Sequence, residues 1–147
     1  MKMVKQLLDA KGYNVWTIAP DASVYEALKL MADKNVGALL VLEAGQVVGI
    51  LSERDYARKV ILKGKFSKDT PVREIMSTRL IFVRPEQTVE ECLALMSDHH
   101  IRHLPVMAGD DLVGVVSIGD LVKAIISEQA FLIENLQDYI MGARAVR

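Results

Sequence analysis

Gly49-Ile50-Leu51-Ser52-Glu53-Arg54-Asp55 and Gly114-Val115-Val116-Ser117-Ile118-Gly119-Asp120 decide how this chain is read. In each stretch a glycine and two apolar residues run into a serine, and an aspartate follows three positions on. This is the pattern of a strand ending and a helix beginning. Serine suits the N-cap, and an acid in the first turn suits the helix dipole. The likeness extends outward. A shift of about 65 positions sets Pro20 on Pro85, Val24 on Val89 and Glu26 on Glu91. It also sets Leu28 on Leu93, Met31 on Met96, Leu39 on Leu104, Val41 on Val106 and Val48 on Val113, without a gap.

Each copy therefore has one plan. A short extended piece, Val15 to Ile18 or Leu80 to Val83, leads into a proline. A helix follows, opened by a capping box of Ser23 with Glu26, or Thr88 with Glu91. Its buried stripe is Val24, Ala27, Leu28 and Met31, matched by Val89, Cys92, Leu93 and Met96. Two apolar runs around Ala44-Gly45, or around Ala108 to Asp111, form a hairpin, and a second helix starts after Ser52 or Ser117. The expected fold class is α/β (α+β): two tandem β-α-β-β-α repeats packed with pseudo-two-fold symmetry, with flanking N- and C-terminal helices. The expected division is 1–62 for the N-terminal helix and first repeat, 63–79 for a linker, and 80–147 for the second repeat and C-terminal helix. The basic linker, with Lys63, Lys65, Lys68 and Arg73, reads as a solvated connector in which Thr70-Pro71 opens a helical turn.

The chain has 147 residues, 51% of them hydrophobic, so it can bury a sizeable core. Its net charge of -1 argues against nucleic acid as the main partner. A single cysteine, Cys92, excludes an internal disulfide framework and suits a reducing cytosol. Neither a signal peptide nor a run long enough to span a bilayer is read in the sequence. The expected protein is soluble and cytoplasmic.

The strand-to-helix turns have a plain reading, helix capping, and a functional one. A helix N-terminus can hold phosphate, a serine there adds a donor, and an aspartate one turn in can accept both hydroxyls of a ribose. Glycine inside a strand marks a close approach of a ligand or another backbone. An apolar slot beside Ile50 or Val115 would complete a nucleoside phosphate site. A second cluster, His99-His100-Ile101-Arg102-His103, offers Arg102 and His103 to phosphate, whereas the same positions in the first copy are the uncharged Gly37 and Ala38. The two sites are not equivalent. The histidine spacing is not that of a helical metal pair, so no metal site is expected. Cys92 reads as a core thiol.

The motifs GILSERD, GVVSIGD and HIRHLPV make the chain resemble the CBS domain family, as a tandem pair of the kind called a Bateman module, and in particular stand-alone bacterial CBS-pair proteins. The resemblance covers about Val15 to Ile126. It implies clefts for adenosyl ligands such as AMP, ADP, ATP, NAD or S-adenosylmethionine. Carried over by position, Asp55 and Asp120 would hold ribose, and Ser52 and Ser117 would lie beside ribose or phosphate. Ile50, Val115 and Ile101 would line adenine, and Arg102, His103 and Arg54 would face phosphate. Gly37 and Ala38 depart from the pattern and leave room for a bulkier group, such as the second half of a dinucleotide. No P-loop, dinucleotide fingerprint or nucleophile–base arrangement is present, so an enzyme with a catalytic cofactor is not expected. The expected function is an adenine-nucleotide sensor acting by conformational or assembly change, as a homodimer with an unidentified regulated protein. The alternative is a ligand-free structural dimerisation module.

Overall fold

The computed structural model describes residues 2–145 and divides into two compact units. One is Asn14–Ile81; the other joins the N-terminal stretch through Tyr13 to the chain from Phe82 onward.

In the Asn14–Ile81 unit, β1 (Thr17–Ile18) pairs in parallel with β2 (Ala38–Glu43), and β2 pairs antiparallel with β3 (Gln46–Ser52). Helix α2 (Val24–Lys34) covers this sheet through Val24, Ala27 and Met31. Ser23 Oγ accepts the Glu26 N–H at 3.1 Å, and Asn35 closes the helix in a left-handed conformation, φ 55°. The hairpin turns through Ala44 and Gly45, both at positive φ, the geometry that matches strand twist. After Ser52 come α3 (Glu53–Tyr56) and a π-helical segment Ala57–Ile61, then α4 (Val72–Ile75).

The basic linker is not a solvated connector throughout. Val72 and Ile75 join the core of this unit, and Thr70 is buried with its hydroxyl donating to Phe66 O at 2.7 Å. The N-cap falls on Pro71, one residue later than Thr70. A buried backbone must find partners, and here Val24 N–H donates to Thr70 O and Val72 N–H to Ala22 O, both at 2.8 Å.

The other unit repeats this plan with parts from both ends of the chain. Helix α5 (Val89–His99), β4 (His103–Ala108) and β5 (Asp111–Ser117) match α2, β2 and β3, down to the same register and bulge in the hairpin. Thr88 Oγ1 caps α5 through Glu91 N–H at 3.1 Å, while the Glu91 carboxylate accepts from Gln87 Nε2 at 3.3 Å. The place of α4 is taken by α1 (Val4–Lys11). Val4 N–H donates to Gln87 O at 2.8 Å and Val89 N–H to Lys2 O at 3.0 Å, the counterparts of the two bonds above. The N-terminal helix thus packs in space with the second repeat, although along the chain it precedes the first. In chain order each repeat begins with the short helix that completes the other unit.

Both strand glycines exist for these helices. A Cβ on Gly114 would lie 2.8 Å from Leu8 Cδ2, and one on Gly49 would lie 2.6 Å from Met76 Sδ. The close approach expected at each glycine is therefore met by a side chain of the same unit.

Two departures from strict repetition have local causes. The extended piece before Pro85 is not a strand; only Val83 bridges Val106. In the first copy Leu40 N–H donates to Trp16 O at 3.3 Å, but the residue matching Leu40 is Pro105, which has no N–H. The second helix of the second copy runs without a break into the expected C-terminal helix, forming α6 (Ile118–Ala145) of 28 residues. Its distal apolar residues, Phe131, Leu132, Leu136, Tyr139 and Ile140, are exposed.

If α1 is core to its unit, Leu8→Ala should destabilise the fold by about 2–5 kcal/mol. Lys5→Ala, on the exposed face of the same helix, should stay within about 0.5 kcal/mol. Urea unfolding of the two variants checks the contrast.

Candidate functional site

The two strand-to-helix turns form reciprocal caps. Ser117 N–H donates to Asp120 Oδ2 at 2.9 Å, and Asp120 N–H donates to Ser117 Oγ at 3.1 Å. Ser52 and Asp55 repeat this at 3.0 and 3.2 Å, with a further bond of 3.0 Å from Ser52 Oγ to Asp55 Oδ2. The plain reading of these residues is therefore present in full. It fixes each carboxylate at the end of its strand, half-buried, beside Ile50 or Val115.

What surrounds the two carboxylates differs. Lys59 Nζ lies 3.2 Å from Asp55 Oδ1, one turn along the same helical segment, and also donates to Ile75 O at 3.0 Å. Asp120 is met from another element: Lys11, the last residue of α1, donates to Asp120 Oδ2 at 2.7 Å and to Val115 O at 2.8 Å. Sequence reading missed Lys11. The signal lies in a second alignment, Met3-Val4-Lys5-Gln6-Leu7-Leu8 with Pro71-Val72-Arg73-Glu74-Ile75-Met76, at a register slightly longer than that of the main repeat.

Burial pushes the Asp120 carboxyl up, but the hydrogen bond from Lys11, the Ser117 amide and the Lys11 charge outweigh it and hold it below its ordinary value. His103 sits across the ladder from Ser117. Burial pushes its imidazole down; Asp120 opposes this, and Lys11 and Arg102 add to it, leaving it below the ordinary 6.5. The lowered value makes His103 less able than Arg102 to act as the phosphate-neutralising cation that the sequence suggested. Arg102 is exposed and carries the charge, while its carbonyl accepts the Ile118 N–H at 2.9 Å.

The unit built around α6 thus gathers Arg102, His103, Val115, Ser117, Asp120 and Lys11. The other gathers Ile50, Ser52 and Asp55, with Arg54 in the first turn of α3 and Gly37 O accepting the Glu53 N–H at 3.1 Å. Ile101 is half-buried, with its N–H on Met96 O. Two neighbouring histidines have structural places: His99 in the last turn of α5, and His100 as its left-handed cap. Among the described residues no cluster of His, Cys, Asp and Glu could hold a metal. Cys92 is buried, and burial with the nearby Glu91 pushes its thiol up to about 11, the behaviour of an inert core thiol. Among the described residues no helix is long and apolar enough to cross a membrane.

Comparison with known proteins gives two matches to the CBS domain, at residues 5–62 and 72–127. The mitochondrial CBS domain-containing protein CBSX3 of Arabidopsis thaliana is 43% identical over 138 residues, covering 90% of this chain and 66% of the plant protein. The chain therefore spans about two thirds of that relative. A protein with CBS domains from Burkholderia ambifaria superposes with a TM-score of 0.85 at 49% identity, covering 87% of this chain and 96% of the other. The CBS domain pair of protein MJ0100, solved with 5'-methylthioadenosine and S-adenosyl-L-methionine, superposes with a TM-score of 0.77 at 25% identity, covering 87% of this chain and 98% of the other.

The lowered value at His103 has a sign that can be checked. Just below pH 6.5 the unfolded chain binds the proton that the folded chain refuses, so stability rises with pH across that window. Urea unfolding should show a loss of stability between pH 7 and pH 5.5 that is smaller in His103→Gln.

Proposed function

This chain belongs to the CBS domain family as a tandem pair, and from that premise we propose that it is an adenine-nucleotide-binding regulatory module with a ribose acceptor at Asp120 and another at Asp55. The observation that carries the reading is the serine–aspartate cap at the end of a half-buried strand, present in both units. A cap alone needs no further donor, yet each carboxylate also draws a lysine onto itself. A fixed, half-buried carboxylate of this kind is a strong acceptor for paired hydroxyls.

In this reading Ser52 and Ser117 stand beside ribose or phosphate, and Ile50, Val115 and Ile101 line the base. Arg102 meets phosphate as a cation in one unit and Arg54 does so in the other, while His103 contributes a hydrogen bond beside Arg102. The adenosyl compounds bound by MJ0100 support this ligand class. Among candidates within it, AMP, ADP, ATP and NAD fit an arginine that faces phosphate. The chain acts by changing conformation or assembly rather than by catalysis, in the cytoplasm, on a protein partner. The exposed apolar residues of α6 favour a homodimer. That same stripe is the observation behind the second reading, a ligand-free dimerisation module.

AMP, ATP or NAD at millimolar concentration should raise the melting temperature, with guanine and pyrimidine nucleotides inert. At a hundredfold excess over Kd the gain is about 2.7 kcal/mol. No shift with any adenine nucleotide favours the dimerisation module. Asp120→Ala should weaken binding by about ten- to a hundredfold, the loss of a charged acceptor. Arg102→Ala should weaken AMP more than adenosine in calorimetry. Sedimentation should show a dimer or larger at micromolar concentration; monomer with and without nucleotide would overturn that part.

A further inference from the structure

Lys11 already holds the carboxylate read above as the ribose acceptor. Its ammonium spans two acceptors at the strand end, Asp120 Oδ2 at 2.7 Å and Val115 O at 2.8 Å. The ion pair is partly shielded, with the Lys11 and Asp120 side chains 35% and 25% exposed. Helix α1, which carries Lys11, is seated by Val4, Leu7 and Leu8, all buried. The ammonium is therefore delivered to Asp120 by a packed element, on a flexible four-carbon stem.

Resting on the reading of Asp120 as the ribose acceptor, we propose that Lys11 is a specificity-determining residue: an internal competitor that makes this site favour phosphorylated nucleotides over neutral nucleosides. A ribose diol that grips both carboxylate oxygens must share Oδ2 with the ammonium and so loosens it. A neutral nucleoside leaves that ammonium without a counter-charge. A nucleotide brings a phosphate on the same sugar, within the sweep of the lysine stem, and so returns an anion for the one displaced. The lysine penalises adenosine and leaves AMP nearly unpenalised. The Asp55 site lacks this arrangement, because its lysine comes from the same helical segment and is tied to Ile75 O.

The test is calorimetric titration of adenosine and AMP into the wild type, Lys11→Met, Lys11→Arg and Asp120→Asn, each first checked by thermal melting. Lys11→Met should tighten adenosine by about threefold to tenfold, the range for releasing a partly shielded ion pair, and leave AMP within about twofold. Lys11→Arg should keep the wild-type preference. Added salt should tighten adenosine binding to the wild type, because it screens the competing pair, and leave Lys11→Met unchanged. If Asp120→Asn weakens both ligands while Lys11→Met leaves adenosine unchanged or weaker, the ribose site stands and the competitor is refuted. If Asp120→Asn changes neither ligand, or nothing binds to any of the four proteins, the ribose site itself falls and the competitor with it. Should Lys11→Met fail to fold, the salt response of the wild type decides: a flat or falling adenosine affinity overturns the proposal.

Discussion

A leucine side chain resting on a glycine is the contact from which much of this molecule follows. Leu8 packs where a Cβ on Gly114 would stand, and Met76 does the same over Gly49. A strand surface bare at that point lets a short helix settle against it. In one unit the helix is local to the chain that follows the first repeat. In the other it arrives from the N-terminus, and with it comes Lys11. A methyl group at residue 114 would press on the Leu8 side chain and force it to shift from the place where it anchors α1.

The duplicated plan makes the differences between the two sites interpretable. Both carboxylates are fixed by the same reciprocal cap. One is balanced by a lysine one turn along its own helical segment, the other by a lysine from a separate helix. The entries to the paired strands differ too, with Gly37 and Ala38 against Arg102 and His103. A cap is a backbone requirement and is kept in both copies. The charge around it is set by side chains that the fold does not constrain, and those have diverged.

Much of this was legible in the sequence. The alternation of strand, helix and hairpin, the caps at Ser23, Thr88, Ser52 and Ser117, and the buried stripe through Cys92 follow from local chemistry that each segment carries by itself. The exchange of leading helices was not read, because a four-residue helix such as α4 has too little periodicity to stand out, and its basic neighbours read as solvent-facing. The lowered value at His103 was also out of reach. It depends on burial and on Lys11, which lies far away in sequence. The loss of the first strand in the second copy was in principle readable, since Pro105 announces a missing donor, but only once the pairing partner of that residue is known.

Helix α6 begins at the Asp120 cap and continues, without proline and with no glycine between Gly119 and Gly142, to Ala145. A helix of that size is about 42 Å long at 1.5 Å per residue. Sharp bends in helices need a proline, a glycine, a bulge or an inserted side chain, and the sequence between those two glycines supplies neither of the first two. A straight segment of that length would act as a lever with its fulcrum at the carboxylate. A tilt of a few degrees at Ile118, too small to disturb the hairpin beside it, sweeps the far end through several ångströms and carries the apolar residues from Phe131 to Ile140 with it.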